Sequence, residues 1–308
     1  MRREIRRTDN GILQITAYDE RWYARPALDE TTGLPTYEFV PSVTWIAGHY
    51  PKGTGFFKWL ATKGWDEAVA IREAAADKGS IVHQACADLI DGKTVALEST
   101  YADPSTGTPR GLAIEEYEAL LSFRDWWATA RPTTFLRDEV VWGDGYAGTL
   151  DWLGTLGDPP GLWLIDFKTS SQVWPEHELQ VSAYKAALLD APPANLSGKY
   201  LQEGIPFVRL GVLQLGYRLN KRKWKLTEVP DQYDLFLAAR KIWEKETAGQ
   251  TPTKAEYPLE LTLTHGPIPE PTSKIKRARK VSAGNGEAAQ PSLAPALEAS
   301  LAAKETTT

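Results

Sequence analysis

Two carboxylates and a lysine stand at the ends of apolar segments, where a folded protein normally places uncharged core residues. Asp151 closes a Gly-Thr-Leu-Asp motif, and Asp166 and Lys168 extend the continuously apolar run at 161–165. A short apolar run of this kind is typical of a strand that is buried on both faces. Charges in such a position are costly unless they are paired or bind a metal ion. These residue types therefore predict a metal-dependent site that acts on a phosphodiester, rather than a solvated ion pair at a strand end.

Strand geometry predicts where these side chains point. Because side chains alternate along a strand, Asp166 and Lys168 share one face, while Phe167 points to the other and leaves its carbonyl oxygen as a further ligand. The segment at 146–156 precedes a Gly-Asp-Pro-Pro-Gly turn, so we expect it to pair with the next strand in antiparallel fashion. Asp151 would then lie near Asp166. Two adjacent carboxylates repel unless a cation holds them, and oxygen ligands suit Mg²⁺ or Mn²⁺.

Five short motifs follow one another over about a third of the chain. They are GSIVH at 79–83 on a helix, Glu139 on a first strand, GTLD at 148–151 on a second strand, DFK at 166–168 on a third strand and QVSAY at 180–184 on the next helix. In this order and spacing they resemble the PD-(D/E)XK nuclease superfamily, and within it the RecB-like and phage-type exonucleases. A loose match to the lead-in of phage members adds PSVT at 41–44.

The resemblance implies a role for each matched residue. Asp151 and Asp166 would hold the metal ion, with the Phe167 carbonyl and a neutral His83 imidazole as further ligands, the histidine favouring Mn²⁺ over Mg²⁺. Lys168 would orient or deprotonate the attacking water and neutralise charge that grows on the phosphate. The same roles make the site catalytic as well as metal-binding.

Two more candidates lie on the helix that follows the third strand. Gln180 and Tyr184 are four residues apart, so they share a helix face and could reach the metal cluster or the DNA backbone. The alternative is an ordinary amphipathic face, since apolar residues of the same helix pack nearby. We expect the site role.

The role of Glu139 depends on the register of a predicted hairpin. A two-residue turn would place Glu139 opposite Leu150, on the face away from Asp151, and would make Asp138 the neighbour of Asp151. A three-residue turn would place Glu139 opposite Thr149, on the face of Asp151. Only the second register would let Glu139 assist the metal or the substrate.

The order of elements predicts an α/β fold, a restriction-endonuclease-like core with a mixed central sheet flanked by helices. Helical patterns cover 64–91, 111–130, 176–190 and 231–247, strands cover 134–169, and a hairpin covers 207–229. We expect an N-terminal lead-in region at 1–62, a nuclease core at 63–266 and a low-complexity basic tail at 267–308 that is disordered.

Composition limits the class of protein further. Cys86 is the one cysteine, which excludes an intramolecular disulfide and also the four-cysteine iron-sulfur cluster that several RecB-like nucleases carry. No apolar run is long enough to span a bilayer and no secretory segment follows Met1, so we expect no membrane partner and a cytoplasmic location in a bacterial host cell, with a phage origin by resemblance.

Charge argues against a simple DNA-binding surface. The net charge is −5 and the tail is basic, so the rest of the chain is more acidic still, whereas DNA-binding proteins are usually basic. Two basic runs, at 221–225 and 274–280, could contact phosphates, although a solvated surface is the simpler interpretation. Trp65, Trp174 and Trp224 stand near polar residues or turns and are candidates for stacking on unpaired bases.

The resemblance implies a divalent-metal-dependent DNA exonuclease of phage recombination or DNA repair. The alternatives are a restriction-like or branched-DNA endonuclease on the same fold and, in another class, a catalytically idle DNA-binding subunit. The expected partners are DNA and, by resemblance alone, a single-strand annealing protein. A ring-shaped homo-oligomer would make such an enzyme processive.

Overall fold

The computed structural model describes residues 3–8, 11–17, 20–28, 35–190 and 208–247. The chain divides into two compact units, Met1–Leu259 and Glu260–Thr308, and every described residue belongs to the first unit. The elements in chain order are β1 Arg3–Arg7, β2 Leu13–Ala17, β3 Glu20–Leu28, β4 Pro35–Pro41, α1 Val43–Ala47, α2 Thr54–Lys63, α3 Trp65–Ile90, β5 Thr100–Ala102, β6 Pro109–Gly111, α4 Ile114–Ala130, β7 Thr133–Gly143, β8 Tyr146–Gly157, β9 Pro160–Lys168, α5 Pro175–Asp190, β10 Val208–Leu215, β11 Trp224–Val229 and α6 Tyr233–Glu246.

Five strands form the central sheet, in the order β11-β10-β9-β8-β7. Strands β9 and β10 are parallel, with a register that runs from Leu162–Val208 to Lys168–Gln214, and the other neighbouring pairs are antiparallel. Parallel neighbours need a crossover connection, and helix α5 lies in the connection between β9 and β10. The sheet is therefore mixed.

Strand β9 lies in the middle of this sheet, and its side chains enter two different cores. Leu164 packs in the core that α1, α5 and α6 cover, whereas Trp163, Ile165 and Phe167 pack in the core that α3 and α4 cover. All four side chains are buried. Because both faces are covered, the strand needs apolar residues at every position, and this explains its unbroken apolar run.

A second sheet precedes the central one and is attached to it. Strands β1 to β4 form a four-stranded antiparallel sheet in sequence order. Ser42, which caps helix α1, forms a bridge with Ala147 of β8, and the Tyr23 hydroxyl of β3 hydrogen-bonds Thr149 of β8 at 2.8 Å. The N-terminal sheet therefore contacts the strand that carries Asp151.

The prediction of an α/β fold is confirmed at the level of a five-stranded mixed sheet flanked by helices. Strands β7 to β9 and helices α3 to α6 lie within a few residues of the predicted ranges. Helices α1 and α2 lie before the first helical pattern at 64–91, where the sequence predicted no helix. The restriction-endonuclease-like core and the boundaries of the three regions stay predictions, and the tail at 267–308 lies outside the described residues. Among the described helices, none is both long enough and apolar enough to cross a membrane.

Candidate active site

Strands β8 and β9 separate at the two aspartates. Their antiparallel ladder runs from Gly157–Pro160 and ends at Trp152–Ile165, one position before Asp151 and Asp166. Beyond that point the Asp151 carboxylate acts in place of a backbone acceptor. Its Oδ2 accepts a hydrogen bond from the backbone N–H of Phe167 at 2.7 Å. A side chain thus satisfies a buried backbone donor next to the opened strands.

Asp166 is a buried carboxylate with two different environments. Its Oδ1 accepts a hydrogen bond from Gln180 Nε2 at 3.0 Å. Its Oδ2 lies 2.5 Å from Lys168 Nζ, yet no described group donates to it in hydrogen-bond geometry. The side chain is 1% exposed, so the Lys168 ammonium is the charge that compensates for the lost hydration of this oxygen. A carboxylate has about four lone-pair sites, so a cation in the cleft could share Oδ2 with Lys168.

His83 of helix α3 is paired with Asp151. Its Nδ1 lies 3.0 Å from Asp151 Oδ1, and its ring meets the Phe167 ring edge to face at 6.3 Å. His83 therefore contacts the candidate site through its pairing with the Asp151 side chain. A histidine held in this way also fixes the orientation of the carboxylate that it contacts.

The pKa values of the two aspartates are displaced in opposite directions. Burial raises the pKa of Asp166 to about 6, with a further increase from the negative charge of Asp151, and Lys168 opposes part of this effect. Burial would also raise the pKa of Asp151, but His83, Lys168 and the Phe167 N–H outweigh it and lower that pKa. In His83, burial disfavours the charged imidazole, and the interaction with Asp151 reverses this effect and raises its pKa.

Helix α5 supports the site with the two residues that its sequence predicted. Gln180 Nε2 donates to Asp166 and also to the Tyr184 hydroxyl, at 2.8 Å. The Tyr184 ring lies against Gly148 of β8, so closely that a Cβ at Gly148 would stand 2.3 Å from Cε1 of the ring. The glycine of the GTLD motif is therefore needed so that helix α5 can approach β8.

The structure adopts the two-residue turn between β7 and β8. Gly143 pairs with Tyr146, Glu139 lies opposite Leu150, and Glu139 is not among the residues that line the cleft around the aspartates. The register makes Asp138 the neighbour of Asp151 instead, and Asp138 does line the cleft. Its backbone adopts φ +48°, a left-handed conformation that aspartate tolerates better than most residues other than glycine.

These residues lie in a cleft of about 1280 Å³. Its walls come from the N-terminal sheet, helix α3, the β5–β6 hairpin, the ends of β8 and β9, and helix α5. Tyr23 and Gln14 of the N-terminal sheet contribute a hydrogen-bonded pair at 2.8 Å that ends on Thr149. Sequence reasoning missed Gln14 and Tyr23, because neither belongs to a motif and Tyr23 is 126 positions from Thr149.

Cationic wall residues were missed as well. Arg21 of β3 and Lys78 of α3 both line the cleft and are partly exposed. Within the described ranges, neither side chain forms an ion pair. The sequence offered no signal for them, since isolated basic residues on a strand and a helix are common on any surface.

Metal-ligand geometry is only partly formed. Among the described residues, no group of three or more His, Cys, Asp and Glu side chains is arranged to hold a metal ion. His83 and Asp151 form one pair, and Lys168 and Asp166 form another. The donor set nevertheless fits a hard divalent cation, because Asp151 and Asp166 line one cleft and carboxylate oxygens are the ligands that such a cation prefers. The ligand roles of His83 and of the Phe167 carbonyl stay predictions.

Gly148→Ala should destabilise the protein by about 1–3 kcal/mol, because the new methyl group would overlap the Tyr184 ring. Urea unfolding measures the effect. Gly111→Ala is the matched control, since no atom lies within 4 Å of its added Cβ. Adding Tyr184→Ala should make the double variant more stable than the sum of the single effects predicts. Equal stability of the Gly148→Ala and Gly111→Ala variants would contradict the contact.

Asp166 should make the protein less stable as pH rises from about 4 to about 6. Its pKa is about 6 in the folded protein and its ordinary value is 3.8, so the folded state binds more protons in this interval and the free energy of unfolding falls. Asp166→Asn removes the proton uptake. The free energy of unfolding of the variant minus that of the wild type should therefore increase across the interval, by on the order of 2–3 kcal/mol, and then level off.

The measurement is urea unfolding at a series of pH values with a chelator present, so that no cation occupies the carboxylates. Asp125→Asn, which removes a half-exposed carboxylate from α4, controls for the loss of one charge. The difference in free energy of unfolding between the Asp166→Asn variant and the wild type could instead stay constant with pH. That result would rule out the raised pKa of Asp166.

Comparison with models of known protein families gave no match for this chain, and comparison with curated proteins gave none either. The two aspartates, the lysine and the histidine meet in one cleft, with Gln180 and Tyr184 behind them. Their contacts are the basis for assigning a function.

Proposed function

We propose that the protein is a divalent-metal-dependent deoxyribonuclease that hydrolyses phosphodiester bonds from the ends of DNA. The observation that carries the proposal is buried Asp166, which lies beside Lys168 and under the influence of Asp151 at the point where β8 and β9 separate. Two carboxylates and an amine in a cleft are a suitable set for phosphoryl transfer, where positioning and charge stabilisation provide most of the catalysis.

Asp151 and Asp166 would hold the metal ion, with His83 and the Phe167 carbonyl as the further ligands that the resemblance implies. The closeness of the two buried carboxylates supports this, because a cation would offset the repulsion by which Asp151 raises the pKa of Asp166. When bound, Mg²⁺ or Mn²⁺ polarises a phosphoryl oxygen and lowers the pKa of a water molecule.

The chain's own residues supply the remaining functions. Lys168, 19% exposed, reaches the cleft with an ammonium group that can donate to a water molecule or to a phosphate oxygen and can neutralise negative charge there. Gln180 holds Oδ1 of Asp166, while Oδ2 lies against the Lys168 ammonium. His83 and the Phe167 N–H hold the two oxygens of Asp151, so that both aspartates are fixed before substrate arrives.

The cleft has space and positive charge for part of a nucleic acid. Its volume of about 1280 Å³ slightly exceeds the roughly 300–1,000 Å³ of pockets that hold drug-sized ligands, which is room for a few nucleotides. Arg21 and Lys78 provide cations on two of its walls, although the chain as a whole is acidic. The exonuclease, rather than the endonuclease, is the activity that the resemblance implies.

The wider biological setting is part of the same proposal. Phage recombination or DNA repair, a single-strand annealing partner, a homo-oligomer and a cytoplasmic location follow from the resemblance and stay predictions. The same holds for the absence of an iron-sulfur cluster.

Purified protein should degrade end-labelled linear DNA in Mg²⁺ or Mn²⁺ and leave closed circular DNA intact. Chelator, Asp166→Ala and Lys168→Ala should each abolish the reaction, by about 100-fold or more for the lysine, because each removes charge stabilisation at the reacting phosphate. Asp125→Ala and Lys93→Ala change exposed residues of the same types and should retain activity.

Other outcomes would replace the proposal. Nicking or linearisation of circular DNA would identify an endonuclease if chelator, Asp166→Ala and Lys168→Ala each abolish it. DNA binding without any cleavage in either metal would identify an idle binding subunit. Cleavage that survives Asp166→Ala would place the active site elsewhere.

Asp138→Asn should reduce nuclease activity more than Glu139→Gln does. Asp138 lines the cleft opposite Asp151, whereas Glu139 lies opposite Leu150. Both substitutions remove one charge and keep the side-chain size, so the pair is matched. We expect the Glu139→Gln variant to stay within about threefold of the wild type in kcat/KM. The reverse order would mean that the hairpin adopts the three-residue turn when substrate binds.

A further inference from the structure

A group of aromatic side chains lies at the surface of the described structure. Helix α2 carries Phe56, Phe57 and Trp59, and Trp65 begins helix α3 immediately after the Gly64 turn. We call these four residues the aromatic arm. We infer that the aromatic arm is a binding site for single-stranded DNA, whose unpaired bases stack on its rings. This inference rests on the proposed function, because it assigns the route of one DNA strand past the cleft.

Two rings of the aromatic arm are exposed to an extent that core packing does not explain, while Phe56 and Trp59 are partly buried. No residue of α2 is buried, Phe57 is 57% exposed and Trp65 is 69% exposed. The rings of Phe56 and Phe57 lie 5.6 Å apart, and those of Phe56 and Trp59 lie 5.9 Å apart, so the three rings of α2 form one contiguous surface. Large exposed apolar patches of this kind mark interaction sites.

Helix α3 links the aromatic arm to the cleft. The helix passes the end of β9 at Gly79, where an added Cβ would lie 3.9 Å from Thr169 Oγ1. Trp65 precedes Gly79 by about four helical turns, roughly 21 Å at 1.5 Å per residue. Lys52, two residues before α2, forms an ion pair with Glu176 in the first turn of α5. A single strand of several nucleotides that leaves the cleft past Thr169 would therefore reach the arm.

Another exposed ring extends this surface toward the site. Trp174 is 49% exposed and lies between the catalytic strand β9 and helix α5, two residues from Glu176. The Lys52–Glu176 ion pair thus joins the segment that carries Trp174 to the segment that leads into α2. Aromatic side chains along a path from the active site are what a protein uses to hold successive bases.

One lysine of the aromatic arm favours an anion as the occupant. The segment at 51–63 contains three lysines, of which Lys52 and Lys63 pair with Glu176 and Glu67. Lys58 lies between Phe57 and Trp59 and forms no ion pair with a described residue, so its ammonium is available to a phosphate. An ammonium between aromatic rings matches the phosphate and the bases of a single strand.

The test measures DNA binding without cleavage. The full-length protein in chelator is titrated into fluorescein-labelled oligothymidine and, separately, into a blunt duplex of the same length, and fluorescence anisotropy gives the Kd. Phe57→Ala and Trp65→Ala should each weaken binding of the single strand about fivefold or more and change duplex binding much less. Ile114→Ala, which truncates a 70% exposed apolar residue on α4, is the control and should bind as the wild type does. Circular dichroism confirms that each variant is folded.

The outcomes separate this inference from the proposed nuclease. Unchanged Kd values for the Phe57→Ala and Trp65→Ala variants would overturn the aromatic arm as a DNA site, even if the protein degrades linear DNA. The variants could bind single-stranded DNA more weakly while the wild-type protein cleaves no DNA. That result would support the aromatic arm as a DNA site and would overturn the proposed nuclease activity. Unchanged DNA binding together with a change from dimer to monomer in sedimentation would identify the arm as a contact between two copies and would also overturn the inference.

Discussion

The free-energy cost of burying the Asp166 carboxylate is the constraint on which the rest of the site depends. The strand that carries it is apolar because both its faces are covered, and the aspartate occupies the end of that strand with 1% of its side chain exposed. Gln180 and Lys168 compensate for part of the lost hydration, while Asp151 adds repulsion. Helix α5 and the separation of β8 from β9 can both be understood as means of supporting this one charge.

Local sequence signals were sufficient to predict the residues that surround the buried carboxylate of Asp166. Asp151, Asp166 and Lys168 interrupt apolar segments, and a charge in such a place is visible without knowledge of the fold. Gln180 and Tyr184 could be predicted from helical spacing, and the structure places both beside Asp166. The mixed sheet and its flanking helices followed from the order of the strand and helix patterns.

Other parts of the site depend on geometry that the sequence alone leaves open. The position of Glu139 depended on the length of one turn, since a change of one residue exchanges the two faces of a strand. The contact between Tyr23 and Thr149 joins segments that are far apart in the sequence. The exposure of α2 depends on which other elements of the fold pack against it. Periodicity predicts which residues form a helix face, but the partner of that face is a property of the whole fold.

The parallel pairing of β9 with β10 has a consequence for how the protein is made. All the residues of the site precede residue 185, but β10 begins only at Val208 and then pairs with β9 as far as Lys168–Gln214. During synthesis, the nascent chain therefore contains every candidate catalytic side chain before the strand that covers the open edge of β9 exists. A ribosome that stopped just before Val208 would release a chain with a complete set of site residues and an incomplete sheet to hold them.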